Sequence, residues 1–367
     1  MKNIFALVIT LLMLLSLSAC VGVLSKNSSL ENETALASKY NILVATSRKK
    51  EKDGSFGTDR SLNLSYGQYQ VAVPKLIRPG KFTYPQTNID PKNRYKIISS
   101  KNIDSAKSFN QAIINDALNI RNTREVIIFV HGFNSNFEKT IFRVAKIDAD
   151  FNTPATTILY SWPSAIELGL YLHDMDSAAF ARDGLEKLLS DLANSQINKI
   201  TLVGHSMGAS IIMETLRQIS FKNNKKILNK IGGVALLSAD MAVDLFAEQA
   251  NDIKDLPQPF VVYSSKEDWV LQKFADIFHD GKQRLGNITD FLPLAGLNII
   301  VVDSSNIHDT SDSYHMAAAA SPTMIKLINS IPKVGFDSFG AYAKNGKIAG
   351  TKITTDGSLY TVELGAL

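Results

Sequence analysis

The stretch KITLVGHSMGASIIMETL, residues 199–216, decides how the chain is read. KITLV is a short β-rich apolar run, and ASIIMETL carries apolar residues at helical spacing. A strand therefore passes into a helix, with GHSMG (204–208) as the whole connection. An ordinary turn at such a seam needs one glycine at most. Two glycines around a hydroxyl suit a nucleophile elbow, in which a strained serine needs room from the neighbouring chain. The helix that starts after Ser206 also points its positive end to where negative charge would develop.

The same alternation extends outward. EVIIFV (125–130), TTILYSW (156–162), GVALLS (233–238), PFVVYSS (259–265) and NIIVVDSS (298–305) read as strands. Helical spacing is present over 108–120 and 175–195. Uninterrupted apolar strands between helices are buried on both faces, which predicts a mostly parallel sheet flanked by helices, an α/β fold. Upstream, NILVATS (41–47), YGQYQVAVP (66–74) and RYKIISS (94–100) also read as strands. The charged RKKEKDGSFGTDRS (48–61) between the first two reads as a loop. Beyond Ile331 short alternating stretches such as KITTDGSLYTVEL predict a small C-terminal β extension over 333–367.

In open α/β sheets the chemistry gathers beyond the carboxyl ends of the strands. Those ends carry HGFN (131–134), SWPS (161–164), GHSMG, SAD (238–240), SSKED (264–268) and DSSNIHDTSDSYH (303–315). A serine hydroxyl needs a base that a carboxylate orients. The chain supplies the order serine, acid, histidine: Ser206, then Asp240 or Asp268, then His308 or His315. The expected oxyanion hole is the backbone N–H of Met207 with that of Phe133. The acid is expected after the second strand beyond the elbow helix, which selects Asp268. Asp240 is left to cap the helix near MAVDLF. His205 is expected to pack the elbow and His131 to buttress the oxyanion loop, with His173 and His279 as ordinary helix or loop residues. The segment 162–176 is expected to line an acyl pocket or form a lid, with Trp162 and Tyr171 as pocket residues. The six histidines show no HExxH-like spacing, so neither a catalytic metal nor a cofactor is implied.

Composition narrows the class. A chain of 367 residues that is 45% hydrophobic can bury a sizeable core. The net charge of +4 comes from scattered basic residues, which argues against nucleic-acid binding. The first residues, MKNIFALVITLLMLLSLSAC, join Lys2 to an apolar run and small residues, and read as a secretory signal over 1–19. LSAC resembles a lipobox, and Cys20 is the chain's only cysteine, so lipidation at Cys20 is expected. The polar stretch that follows reads as a tether over 20–38, with a reach of roughly 20–25 Å. The expected location is a bacterial cell envelope, anchored by lipid to a membrane. Val21 in place of an aspartate favours the outer membrane in a Gram-negative cell.

The blocks NILVATSR, YGQYQVAVP, IIFVHGFNSNFE (127–138), LYSWPS, YLHDMDSAAFARDGLEKLL (171–189), LVGHSMG, SSKEDWVL and GKQRLG are similar in order and spacing to one known family. It is the bacterial α/β hydrolases called domain of unknown function 900. The resemblance covers roughly residues 40 to 330 and implies an α/β-hydrolase fold with a Ser–Asp–His triad, of undefined substrate. It places the acid at Asp268 within SSKEDWVL and the base at His315, in register beyond DTS (309–311). Two departures stand out: Lys75–Pro79 where the family tends to have a histidine, and SYHMA where its final block usually reads GHSY. The expectation is one α/β-hydrolase domain over 39–332. It would cleave an acyl bond, most simply a carboxylic ester, of a small-molecule or lipid substrate. An amidase or peptidase with the same triad, and a non-catalytic binding module on the same scaffold, are the rival readings.

Overall fold

A computed structural model describes residues 37–75, 77–82, 94–308, 314–322, 324–325, 351–356 and 359–364. The leader, Cys20, nearly all of the tether, and residues 333–350 of the C-terminal extension lie outside the described residues.

In chain order the elements are β1 (Ala37–Lys50), β2 (Phe56–Pro74), β3 (Lys96–Ile103), α1 (Ala106–Asn115), β4 (Glu125–Val130), α2 (Phe137–Phe151), β5 (Thr156–Ser161) and α3 (Tyr171–Ala193). They continue as β6 (Lys199–His205), α4 (Met207–Phe221), β7 (Ile231–Leu237), α5 (Val243–Asp252), β8 (Phe260–Ser264), α6 (Trp269–Phe278), β9 (Ile299–Asp303), β10 (Thr351–Asp356) and β11 (Leu359–Leu364). One sheet runs β10-β11-β9-β8-β7-β6-β4-β5-β1-β2-β3. From β11 across to β1 every neighbouring pair is parallel. The β1–β2, β2–β3 and β10–β11 pairs are antiparallel.

Alternation along the strands feeds two cores. Leu43 and Ala45 of β1 pack in one cluster with Leu185 and Leu189 of α3 and Ile212 and Leu216 of α4. Ile42 and Val44 point the other way, against Ile141, Phe142 and Val144 of α2. A strand sandwiched in this way has no face left for polar side chains, which is why the parallel strands read as continuous apolar runs. Each large aliphatic side chain so enclosed contributes about 1.5–3 kcal/mol of transfer free energy. The chain steps from β4 outward to β5 and returns to place β6 on the other side of β4. Such a switch point opens a crevice beyond the strand ends. It lies between HGFN and GHSMG.

Two expectations differ from the structure. The stretch 48–61 is not a loop: β1 continues to Lys50 and β2 starts at Phe56, closing a long hairpin. Lys49 and Lys50 stay in solvent while Arg48 is buried. The described strands of the C-terminal extension are not an appendage either. β11 pairs in parallel with β9, Leu359 opposite Ile299, and carries Val362 into the core.

Candidate active site

Ser206 sits between β6 and α4 with φ 52 and ψ −123, a backbone conformation that side-chain-bearing residues rarely adopt. The glycines around it answer to close approach. A Cβ on Gly208 would lie 2.3 Å from the Val130 carbonyl oxygen, and one on Gly132 would lie 2.8 Å from Cβ of Ser206. The HGFN turn therefore presses directly on the serine. The Ser206 N–H donates to Leu237 O at 3.0 Å, tying the elbow to the end of β7. Met207 opens α4, and neither its N–H nor that of Phe133 donates to any described residue.

Asp268 is fully buried and performs two tasks at once. As the N-cap of α6, its Oδ1 accepts from the Leu271 N–H at 3.1 Å. Its Oδ2 lies 2.8 Å from Nδ1 of His315. A carboxylate only accepts, so His315 holds a proton on Nδ1, and the neutral ring keeps its lone pair on Nε2, the tautomer a base requires. The His315 ring meets that of His205 edge to face, with centroids 4.7 Å apart. His205 Nε2 donates to the His315 carbonyl at 2.9 Å. The residue before the serine thus holds the loop that carries the histidine. Burial drives the His205 pKa well below its ordinary value, with the neighbouring His315 adding to the shift, so it stays neutral. His308 is exposed and, among the described residues, meets the Tyr314 hydroxyl at 3.3 Å.

The turn after β4 is fixed from beneath. Burial, with Arg48 nearby, drops the His131 pKa to about 3. Its Nδ1 donates to Gly132 O at 2.9 Å and its Nε2 accepts from the Trp162 N–H at 3.2 Å. Trp162, expected in the pocket, is instead completely buried: it stacks on His131 and donates from Nε1 to His131 O at 2.6 Å. The indole is a support of the turn and offers no surface to a ligand. Arg48, near the end of β1, joins the same support. Its guanidinium donates to Ser135 O (2.8 Å), Gly57 O (3.0 Å), Ser164 O (3.2 Å) and Ser161 Oγ (3.0 Å). Asp174 closes the next turn through Ser164 Oγ at 2.6 Å and the Ala165 N–H at 2.7 Å.

Beside the elbow lies a second polar cluster. The Asp240 N–H donates to Ser206 O at 3.2 Å. The Asp240 side chain does not cap a helix: the N-cap of α5 is Ala242, with no side-chain bond. Its Oδ1 accepts from Nε of Arg284 at 2.8 Å and its Oδ2 from the Tyr171 hydroxyl at 2.8 Å. Burial and the Asp240 charge raise the Tyr171 pKa, so the phenol stays protonated. Nε2 of His279, 2.9 Å from the same hydroxyl, completes the chain, so His279 is no ordinary loop residue. Tyr171 has almost no exposed surface, and its ring meets Phe133 edge-on at 5.4 Å and stacks on Phe278 at 4.6 Å. Around it the segment 166–175 leaves Ile166, Leu168, Leu170, Leu172 and Met175 exposed. This apolar row borders the end of the sheet that carries Ser206. Among the described residues no group of three or more His, Cys, Asp or Glu could hold a metal ion.

Sheet order, two-sided helical cover and elbow define the class as an α/β hydrolase. Residues 106–330 match the family described as "Alpha/beta hydrolase of unknown function (DUF900)", and the chain belongs to that family. No curated protein matches the chain. Among solved structures, it is similar to an esterase of Pyrobaculum calidifontis, with 11% identity, 88% of this chain and 90% of that one covered, and a TM-score of 0.33. A lipase-esterase related protein of Clostridium acetobutylicum shares 14% identity over 57% of this chain and 96% of that one, with a TM-score of 0.30. A poly(3-hydroxybutyrate) depolymerase of Bordetella parapertussis shares 11% over 92% and 87%, at 0.27. Likenesses this distant carry no argument about activity.

Proposed function

We propose that the chain is a serine hydrolase that cleaves an acyl bond, most simply a carboxylic ester. Ser206 attacks the carbonyl carbon while His315 Nε2 takes its proton, and Asp268 orients the imidazole and stabilises its cation. The N–H groups of Met207 and Phe133 receive the developing oxyanion, aided by the positive end of α4. His315 returns the proton to the leaving alcohol, and water then releases the acyl group by the same route. The observation that carries this reading is the 2.8 Å Asp268–His315 bond, on a ring packed against the residue that precedes the strained serine. The exposed apolar row at 166–175 suits an acyl chain at the mouth. Turnover of p-nitrophenyl esters tests it: Ser206→Ala should cut turnover by on the order of 10⁶, and His315→Ala should do the same while His308→Ala does not. Undiminished turnover in Ser206→Ala would refute it.

The proposed setting is a membrane surface in the cell envelope, reached through lipidated Cys20. Wild-type protein should take up labelled fatty acid and partition into detergent, and Cys20→Ser should do neither. A single acyl chain holds a protein only marginally, so stable anchoring calls for more than one.

A further inference from the structure

Arg284 is more than nine-tenths buried, yet only one of its three guanidinium nitrogens has a partner among the described residues: Nε, on Asp240. Nη1 and Nη2 donate to no described residue. An arginine whose whole task is to neutralise a buried aspartate would spend its fork on that carboxylate, with two parallel bonds. Here Asp240 gives its second oxygen to Tyr171 instead. The charge is thus held in place by one bond and its forked end is left open.

Arg284 is built into the frame of the site already described. Residues 284–286 run beside 239–242: the Leu285 N–H donates to Met241 O, and the Gly286 N–H to Ala239 O, both at 2.9 Å. A Cβ on Gly286 would strike the Ser238 carbonyl carbon at 2.3 Å, so the two segments are in direct contact. From Asp240, one bond leads to Ser206 O and another to Tyr171, whose ring lies against Phe133. The guanidinium is therefore fixed to the frame of the elbow and the HGFN turn. It is no mobile surface charge.

We infer that Arg284 is a specificity residue: its free Nη1 and Nη2 bind an anionic group, a carboxylate or phosphate, carried by the ester that Ser206 cleaves. This rests on the hydrolase reading and narrows its substrate to amphipathic esters, with the apolar row 166–175 for the chain and Arg284 for the charge. A fork with both terminal nitrogens free matches a planar carboxylate or a phosphate edge in a way a lysine does not. Charge-assisted bonds of this kind are worth about tenfold to a hundredfold in selectivity.

Two matched substrate pairs test it. The p-nitrophenyl hemiester of glutaric acid against p-nitrophenyl valerate puts the charge on the acyl side. The 3-carboxy-4-nitrophenyl ester of acetic acid against 4-nitrophenyl acetate puts it on the alcohol side. Wild type should favour the charged member of one pair by at least about tenfold in kcat/KM. The ratio should fall to near one in Arg284→Lys, which keeps a cation for Asp240 but loses the fork. It should fall likewise in Asp240→Asn/Arg284→Gln, which removes both charges so that no buried ion is left alone. No preference in either pair, or one that survives in folded variants, would overturn the inference and leave the hydrolase reading standing. Should no ester turn over, the hydrolase reading fails first, and calorimetry decides the anion site. Glutarate or inorganic phosphate binding to Ser206→Ala but not to Ser206→Ala with the double change would sustain the site, and no binding to Ser206→Ala would end it.

Discussion

One carboxylate, Asp268, is bonded to the Leu271 N–H with one oxygen and to His315 with the other. An asparagine there can keep the cap through its amide oxygen, but its NH₂ can only donate, which turns the imidazole to the wrong tautomer. Asp268→Asn should therefore lower turnover by about 10⁴ while the melting temperature changes little. Asp240→Asn differs: it strands the buried Arg284 charge, and breaking such a pair costs about 3–5 kcal/mol. Denaturant unfolding beside ester turnover separates the two, and a stable Asp268→Asn enzyme of near-wild-type turnover would show that the acid is elsewhere. At this scale the strand count points to the aspartate that is bonded to His315, because strand order is written in the apolar runs. The partners of Asp240 were not legible. Arg284 lies more than forty residues downstream, and nothing local distinguishes a paired aspartate from a capping one.

The turns that frame Ser206 depend on an element remote from them in sequence, the end of β1. Arg48 reaches from it to the carbonyls of Gly57, Ser135 and Ser164, so one side chain binds the hairpin to the turns after β4 and β5. Burial pulls its pKa down to about 10, against the nearby Asp174 charge, and the guanidinium remains charged at neutral pH. Arg48→Met leaves those carbonyls without a donor and frees the turn that carries Phe133. We expect kcat to fall about 10²-fold with KM little changed, since displacement of such a turn by about 1 Å costs that much. Steady-state kinetics beside a thermal melt check this, and a lower melting temperature with unaltered kcat would limit Arg48 to a structural role. The sequence hid this element. Eight charged residues among fourteen over 48–61 resemble a solvated loop, and only the β1–β2 pairing reveals which one turns inward.

Across the whole molecule, the parallel sheet was legible because its strands are apolar on both faces. The strands beyond β9 were harder: β11 lies far from β9 in the chain and shows only the alternation that an independent hairpin would show. Burial of neutral histidines beneath the sheet end makes stability depend on pH. The unfolded chain protonates His131 and His205 below about pH 6.5, while both folded-state pKa values are lowered, that of His131 to about 3. The unfolded state then binds more protons, so this stability is whole above about pH 6.5 and is lost as pH falls toward the folded values. The slope is about 1.4 kcal/mol per unit for each histidine. Urea unfolding at pH 7.5 and pH 5 should show the loss, and His131→Gln should flatten it. A curve unchanged over that range would contradict neutral burial.

The central claim is that Ser206 is a nucleophile activated by His315, and trapping it tests this most directly. A fluorophosphonate should modify the folded protein once per chain, with the phosphonyl group found by peptide mass spectrometry on Ser206. Labelling should be absent in Ser206→Ala and strongly slowed in His315→Ala. A folded chain that never reacts, or one modified at another serine, would contradict the account.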